Sequence, residues 1–139
     1  MAEALLRHDL PANSPCRVES AGVATSDGLP VSGSGKIVLS ELGVPIDPLK
    51  TSKLLTRAMI ANATLILPLT RAHADAILEL DSSAKPRVRL LSSFLPDAPT
   101  PDIPDPIGGT LETYRQCRDH IRACIPGVIE YLKKPRLQD

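Results

Sequence analysis

The stretch Thr64-Leu65-Ile66-Leu67-Pro68-Leu69 is a nearly continuous apolar run, which predicts a strand buried on both faces. Pro68 cannot donate a hydrogen bond to a neighbouring strand, so pairing is expected to stop there. Thr70 follows as a capping residue for a predicted helix over Arg71–Leu80. A buried strand that leads directly into a helix is a typical unit of a parallel sheet.

Signals on either side of this unit repeat the alternation of helix and strand. Further helices are predicted over 1–7, over a segment bracketed by Pro30 and Gly43, over Arg57–Asn62 with Thr56 as its cap, and over 111–132. Further short strands are predicted over 17–20 and 88–91. This order predicts an α/β fold, with a parallel sheet covered by helices on both faces.

The composition excludes several classes of function. The 139 residues suit one domain, and their 16 basic and 16 acidic side chains leave no net charge to attract nucleic acid or an anionic membrane. Only 2% of residues are aromatic, which also argues against base stacking. No apolar run is long enough to span a bilayer and the first residues lack a signal-peptide pattern, so a cytoplasmic location is expected.

The cysteines and histidines predict neither disulfides nor a metal or cofactor site. Three cysteines at irregular spacings are typical of reduced thiols in a cytosolic protein. Cys117 and Cys124 lie seven residues apart on one helix, about 10 Å, which is beyond disulfide reach. The three histidines lie far apart in the sequence without ligand spacing, so no metal site is expected.

A proline-rich segment ends in Asp102-Ile103-Pro104-Asp105-Pro106-Ile107-Gly108-Gly109, immediately before the last helix. A carboxylate between prolines is held in a stiff extended loop, where it could face a pocket as a general acid. On local pattern alone, a simple turn before a helix is the favoured explanation of the same residues. In a parallel sheet, this loop, Ser20 and Leu69-Thr70 would gather at the carboxyl edge, where ligands bind.

Several short motifs together resemble the low-molecular-weight protein tyrosine phosphatases, including their bacterial arginine-phosphatase branch. They occur in the family's order through nearly the whole chain. The motifs are Met1-Ala2-Glu3-Ala4, Ser20-Ala21-Gly22-Val23, Gly43-Val44-Pro45-Ile46-Asp47, Leu65-Ile66-Leu67-Pro68-Leu69-Thr70, Asp105-Pro106-Ile107-Gly108-Gly109 and Tyr114.

The resemblance implies roles for individual residues. Asp105 matches the family's general acid, which protonates the leaving atom as its bond to phosphorus breaks. Ile107 stands where the family usually has an aromatic wall of the substrate pocket, and Asp102 takes a supporting or solvated role. Ser20 either hydrogen-bonds the phosphate loop or caps its own turn. Lys50 replaces a histidine that supports that loop in many members.

The family's nucleophile is a cysteine in a loop written Cys, five residues, Arg, followed by Ser-Pro-Met-Ala-Glu-Ala. This sequence begins at the Met of that motif, and the residue six positions after each of its cysteines is glycine, alanine or glutamate rather than arginine. We therefore expect residues 1–139 to form a single phosphatase-like domain that is incomplete at its N-terminus. It would be a three-layer parallel sheet that lacks its first strand, between segments 17–20 and 64–69.

The expected function is hydrolysis of phosphotyrosine or phosphoarginine through a cysteinyl-phosphate intermediate, on a phosphorylated protein or a small phosphomonoester. The 139 residues alone are expected to be inactive, since Asp105 cannot attack phosphorus. One alternative is a noncatalytic relative that binds a phosphoprotein or a partner strand, or a second copy of itself, through the gap in the sheet. Another is an unrelated α/β binding protein with an accidental Asp-Pro-x-Gly-Gly loop.

Overall fold

The computed structural model describes residues 1–23, 28, 32–47, 49–96 and 101–134. Pro30, expected near the start of the second helix, and part of the proline-rich segment before Asp102 lie outside these residues.

Within the described residues, five α-helices form where the sequence predicts them. They are α1 (Ala2–Asp9), α2 (Gly33–Ser40), α3 (Arg57–Asn62), α4 (Arg71–Leu80) and α5 (Leu111–Lys133). Short 3₁₀ helices cover Ser82–Arg87 and Leu91–Phe94. The predicted bounds of α3 and α4 are confirmed, and α5 continues through Pro126 without ending.

Local side chains fix where the helices begin. The Thr56 hydroxyl accepts a hydrogen bond from the Met59 amide at 3.2 Å, and the Thr70 hydroxyl accepts one from the His73 amide at 3.1 Å. Ser32 and Thr110 cap α2 and α5 in the same way. Each cap satisfies an amide that has no partner within the first helical turn, which is why these polar residues determine helix starts.

The strand predictions are realised only in part. Within the described residues, the extended segments meet at two isolated parallel bridges, Gly22 with Leu54 and Ile66 with Val88. Around the second bridge the Ile66 amide donates to Arg87 O at 2.9 Å, and the Arg89 amide donates to Ile66 O at 3.0 Å. The segment predicted as a strand over 88–91 turns into a 3₁₀ helix at its last residue.

The stretch 64–69 packs on both sides, as its apolar run predicts. Leu67 and Leu69 contact the larger core cluster, which α1, α2 and α5 supply with most of its buried side chains. Ile66 contacts a second cluster, formed by Ile60 of α3, Ile77 of α4 and Ala84. Neighbouring residues that face opposite clusters are expected of an extended chain with helices on each side. Within the described part of the chain, no helix combines the length and apolar character needed to cross a membrane.

Candidate active site

The loop from Asp105 to Gly109 is a tight turn that projects a carboxylate. Asp105 Oδ1 accepts a hydrogen bond from the Ile107 amide at 3.0 Å, and the Gly109 amide donates to Pro106 O at 2.8 Å. Gly108 has a φ of 78°, a conformation that favours glycine. A Cβ on Gly109 would lie 2.8 Å from Pro106 O, so this position also requires glycine. The Asp105 side chain is exposed at the tip of this turn.

The same loop is anchored at its N-terminal root. Ile103 is buried in the core, and its amide donates to Leu69 O at 2.8 Å, immediately before α4. Asp102 Oδ1 accepts a hydrogen bond from the Arg71 amide at 2.9 Å. The Cys117 thiol of α5 contacts Pro104 O at 3.7 Å. The root of the loop is therefore held by the end of stretch 64–69, by α4 and by α5.

Glu3, near the start of α1, is a buried carboxylate in contact with two cationic side chains and a hydroxyl group. Glu3 Oε1 accepts a hydrogen bond from Ser20 Oγ at 2.6 Å and lies 2.8 Å from Lys50 Nζ. Arg7 Nη2 lies 2.9 Å from Glu3 Oε2. The two side chains form an ion pair, but the geometry is not that of a hydrogen bond. Burial on its own would raise the pKa of Glu3, but the bonds from Lys50 and Ser20 together hold that pKa below its usual value. Glu3 is therefore a carboxylate at neutral pH.

The start of α1 packs against the same core as the acid loop, which is residues 102–109. Burial lowers the pKa of the Met1 amino group, while nearby Cys117, Glu3 and Asp105 oppose that shift. Met1 packs against the core cluster that contains Ile103, so the start of α1 and the root of the loop that carries Asp105 adjoin the same core. The helix macrodipole concentrates positive potential at this end, which favours an anion between the helix and Asp105.

The structure brings the predicted site residues to two places. Asp105 and Ile107 share the turn, and the Ile107 side chain is 76% exposed, so it is available to a ligand. The Ser20 hydroxyl donates to Glu3 Oε1, a contact that no sequence pattern predicted, and its proposed bond to a phosphate loop stays a prediction. Asp102 has a supporting contact with Arg71. Sequence reasoning missed Glu3 as the centre of the network; its only local signal was the i, i+4 spacing to an arginine.

The cysteines do not supply a nucleophile beside Asp105. Cys117 and Cys124 are buried free thiols, and burial raises the pKa of each, which disfavours the reactive thiolate. Cys16 is exposed and lies in the loop after α1. Among the residues that the structure describes, no group of three His, Cys, Asp or Glu side chains could hold a metal ion.

Comparison with known proteins identifies the class to which this arrangement belongs. The family model for low molecular weight phosphotyrosine protein phosphatase matches residues 1–138. A protein-arginine-phosphatase of Geobacillus stearothermophilus is 37% identical over 134 residues, 96% of this chain and 86% of the relative. A protein-arginine-phosphatase of Bacillus subtilis (strain 168) is 28% identical over 141 residues, 98% of this chain and 89% of the relative.

The solved structure of the Geobacillus stearothermophilus arginine phosphatase superposes with a TM-score of 0.83 at 35% identity, covering 95% of this chain and 82% of that one. A tyrosine phosphatase of Erwinia amylovora, 21% identical, superposes with a TM-score of 0.85 over 96% of this chain and 83% of that one, which shows the same α/β fold. The family match and the arginine phosphatase relatives identify a protein phosphatase. The chain belongs to the low molecular weight phosphotyrosine protein phosphatase family, in which a cysteinyl-phosphate mechanism is typical.

Proposed function

We propose that Asp105 is the general acid of a protein phosphatase whose substrate is phosphoarginine in a protein. The observation that carries the proposal is Asp105, exposed on a glycine turn whose root at Ile103 adjoins the same core cluster as the start of α1. The choice of phosphoarginine follows the two protein-arginine-phosphatases, which are 37% and 28% identical to this chain. Ile107, exposed beside the acid, offers an aliphatic surface to the substrate side chain.

The proposed reaction has two steps. In the first, a cysteine thiolate attacks phosphorus, the P–N bond breaks, and the leaving guanidine nitrogen takes the proton from Asp105. In the second, Asp105 accepts a proton from water, whose oxygen attacks the phosphocysteine and releases phosphate and the free thiolate. The hydrogen bond from the Ile107 amide occupies Asp105 Oδ1, so the transferred proton is best held on Oδ2.

The nucleophile requires a Cys-x5-Arg loop at the start of α1, because the family's loop leads directly into the Met-Ala-Glu-Ala motif. Backbone amides of such a loop and the N-terminus of α1 would stabilise the thiolate, and its arginine would hold the phosphoryl oxygens. The Glu3 network with Ser20 and Lys50 keeps the first turn of α1 in place beneath that loop.

For the fold we propose one domain over 1–139, built as a three-layer parallel sheet. Two features support this: both bridges are parallel, and the core clusters lie on opposite sides of stretch 64–69. In this arrangement a further strand fits between segments 17–20 and 64–69. A second copy of the chain is one source of a strand for that gap.

A second candidate is a noncatalytic relative that binds a phosphorylated protein. The observation that favours it is the state of Cys117, whose thiol lies 3.7 Å from Pro104 O at the root of the loop that carries Asp105. This thiol is buried and its pKa is raised by burial, so residues 1–139 by themselves are expected to bind a phosphorylated side chain without turnover.

The test compares residues 1–139 with a loop-bearing form, in which the strand and Cys-x5-Arg loop of the Geobacillus stearothermophilus relative precede Met1. We expect only the loop-bearing form to release phosphate from a phosphoarginine peptide. Asp105→Asn should lower its kcat about 10²–10⁴-fold, since the leaving nitrogen loses its proton donor. Asp75→Asn, on the exposed face of α4, is the matched control and should leave kcat unchanged.

Turnover by residues 1–139 would contradict the assignment of the nucleophile. A folded loop-bearing form that binds the phosphopeptide without turnover would support the noncatalytic candidate. An Asp105→Asn variant with unchanged kcat on phosphoarginine would show that another group is the acid. Faster turnover of a phosphotyrosine peptide than of the phosphoarginine peptide would overturn the proposed substrate.

A further inference from the structure

We infer that Asp102 is a positioning residue, which sets the place of the general acid by tying the root of its loop to the start of α4. This inference rests on the proposed role of Asp105. Asp102 itself contacts the protein backbone rather than the reacting atoms.

The contacts of Asp102 join two elements that are far apart in the sequence. Its Oδ1 accepts the Arg71 amide at 2.9 Å, across 31 residues, and the Arg71 Nε lies 3.5 Å from the same oxygen. The Asp102 side chain is 36% exposed, so water reaches the ion pair and the directed backbone hydrogen bond is the more important contact. Next to it, the Ile103 amide donates to Leu69 O at 2.8 Å.

The short connection to the acid transmits this anchoring. Only Ile103 and Pro104 separate Asp102 from Asp105, and the proline ring fixes one of the backbone angles between them. Ile103 is 1% exposed and locked in the core. Asp102 and Ile103 therefore anchor the root of the loop at two adjacent points, and without the Asp102 bond the segment that leads to Asp105 can turn about the Ile103 anchor.

The contact also satisfies an otherwise unpartnered amide of α4, but the helix has a local cap besides. Thr70 already caps the helix locally by accepting the His73 amide at 3.1 Å. Asp102 adds an acceptor for the Arg71 amide from another part of the chain, and the positive end of the helix dipole strengthens this bond to a carboxylate. The bond thus fastens the acid loop to α4, in addition to any stabilisation of the helix.

The first arm of the test measures amide hydrogen exchange by NMR in residues 1–139, with and without Asp102→Ala. We expect exchange to accelerate at two amides, that of Arg71, which loses its acceptor, and that of Ile107, whose bond to Asp105 reports the geometry of the turn. Faster exchange at Arg71 with unchanged exchange at Ile107 would overturn the inference, because Asp102 would then serve only α4.

The second arm measures kcat and KM of the loop-bearing form on aryl phosphates whose leaving phenols differ in pKa. Loss of a well-placed acid slows substrates with poor leaving groups most, since their oxygen needs the proton. Asp102→Ala should lower kcat about ten- to a hundred-fold on the poorest leaving group and little on the best. Asp102→Asn, which keeps the acceptor oxygen, should restore most of the loss.

Asp81→Ala is the matched control, because Asp81 Oδ1 accepts the Ser83 amide at 3.0 Å at the start of a 3₁₀ helix, without contact to the acid loop. It should leave the dependence on leaving-group pKa unchanged. An equal loss of kcat on every substrate in Asp102→Ala would refute positioning. If no loop-bearing form is active, the proposed function fails, and the exchange at Ile107 still decides whether Asp102 holds the turn.

Discussion

Gly127 of α5 runs directly against the backbone of Phe94, and this contact yields a sharp prediction for Gly127→Ala. A Cβ at this position would lie 2.3 Å from Phe94 O and 3.1 Å from Phe94 Cβ. Phe94 cannot move freely, because its ring packs edge-on against Tyr131 at 5.4 Å and under the Arg89 guanidinium at 4.8 Å. The new methyl group must therefore separate α5 from the 3₁₀ helix Leu91–Phe94.

Two opposing contributions set the change in the free energy of unfolding for Gly127→Ala. Overpacking that shifts backbone costs about 1–3 kcal/mol, whereas replacing a helical glycine by alanine stabilises a helix by about 1 kcal/mol. Because backbone rather than a flexible side chain must move, by roughly 0.7 Å, the overpacking of Gly127→Ala belongs in the upper part of its range. We expect a net loss of about 1–2 kcal/mol in the free energy of unfolding, or roughly 3–8 °C in Tm.

The assay is urea and thermal unfolding followed by circular dichroism. Gly33→Ala in the first turn of α2 is the control, because a Cβ there meets nothing within 4 Å and the residue does not have a positive φ. It should be neutral, or stabilising by up to about 1 kcal/mol. A Gly127→Ala protein as stable as the parent would show that α5 does not pack against Phe94 at this distance, and would refute the reasoning.

Two further predictions concern titration and thiol reactivity. The hydrogen bond from Arg115 is the main cause that lowers the pKa of Glu41 from 4.5 to about 2. A pKa that is lower in the folded state contributes stability that is present above pH 4.5 and is lost as the pH falls towards 2. Glu41→Gln should therefore weaken the dependence of the free energy of unfolding on acid pH, measured by urea unfolding. An unchanged dependence on pH would contradict the prediction. Ellman's reagent should titrate Cys16 in the native protein at neutral pH, and Cys117 and Cys124 only in urea; native reaction at all three would contradict their burial.

Local signals predicted much of the fold. The caps Thr56 and Thr70 fixed the starts of α3 and α4 because each hydroxyl satisfies an amide three residues away. The run 64–69 predicted an extended segment between two apolar layers, and its alternate residues contact different clusters. The predicted strand pairing was realised less fully, since only isolated bridges join the extended segments in the described residues. Pairing depends on neighbours distant in the sequence, which local patterns do not specify.

The candidate site also contains some features that local sequence predicted and others that it did not. Prolines and glycines next to Asp105 predicted either a stiff extended loop facing a pocket or a simple turn, and the structure shows a turn in which Asp105 is exposed. No local pattern predicted that Glu3 would accept a hydrogen bond from Ser20 and form an ion pair with Lys50. The two roles that the sequence suggested for Ser20 stay predictions, and the structure adds its hydrogen bond to Glu3.

Composition and interactions within a few residues therefore account for three features. These are the helix starts, the turn that carries Asp105, and a core of aliphatic side chains. Tertiary packing was needed to bring Asp102 to Arg71 and to set the start of α1 against the same core cluster as Ile103. Such contacts join residues tens of positions apart. They form only once burial of the apolar layers has fixed how α1, α4 and the acid loop lie against one another.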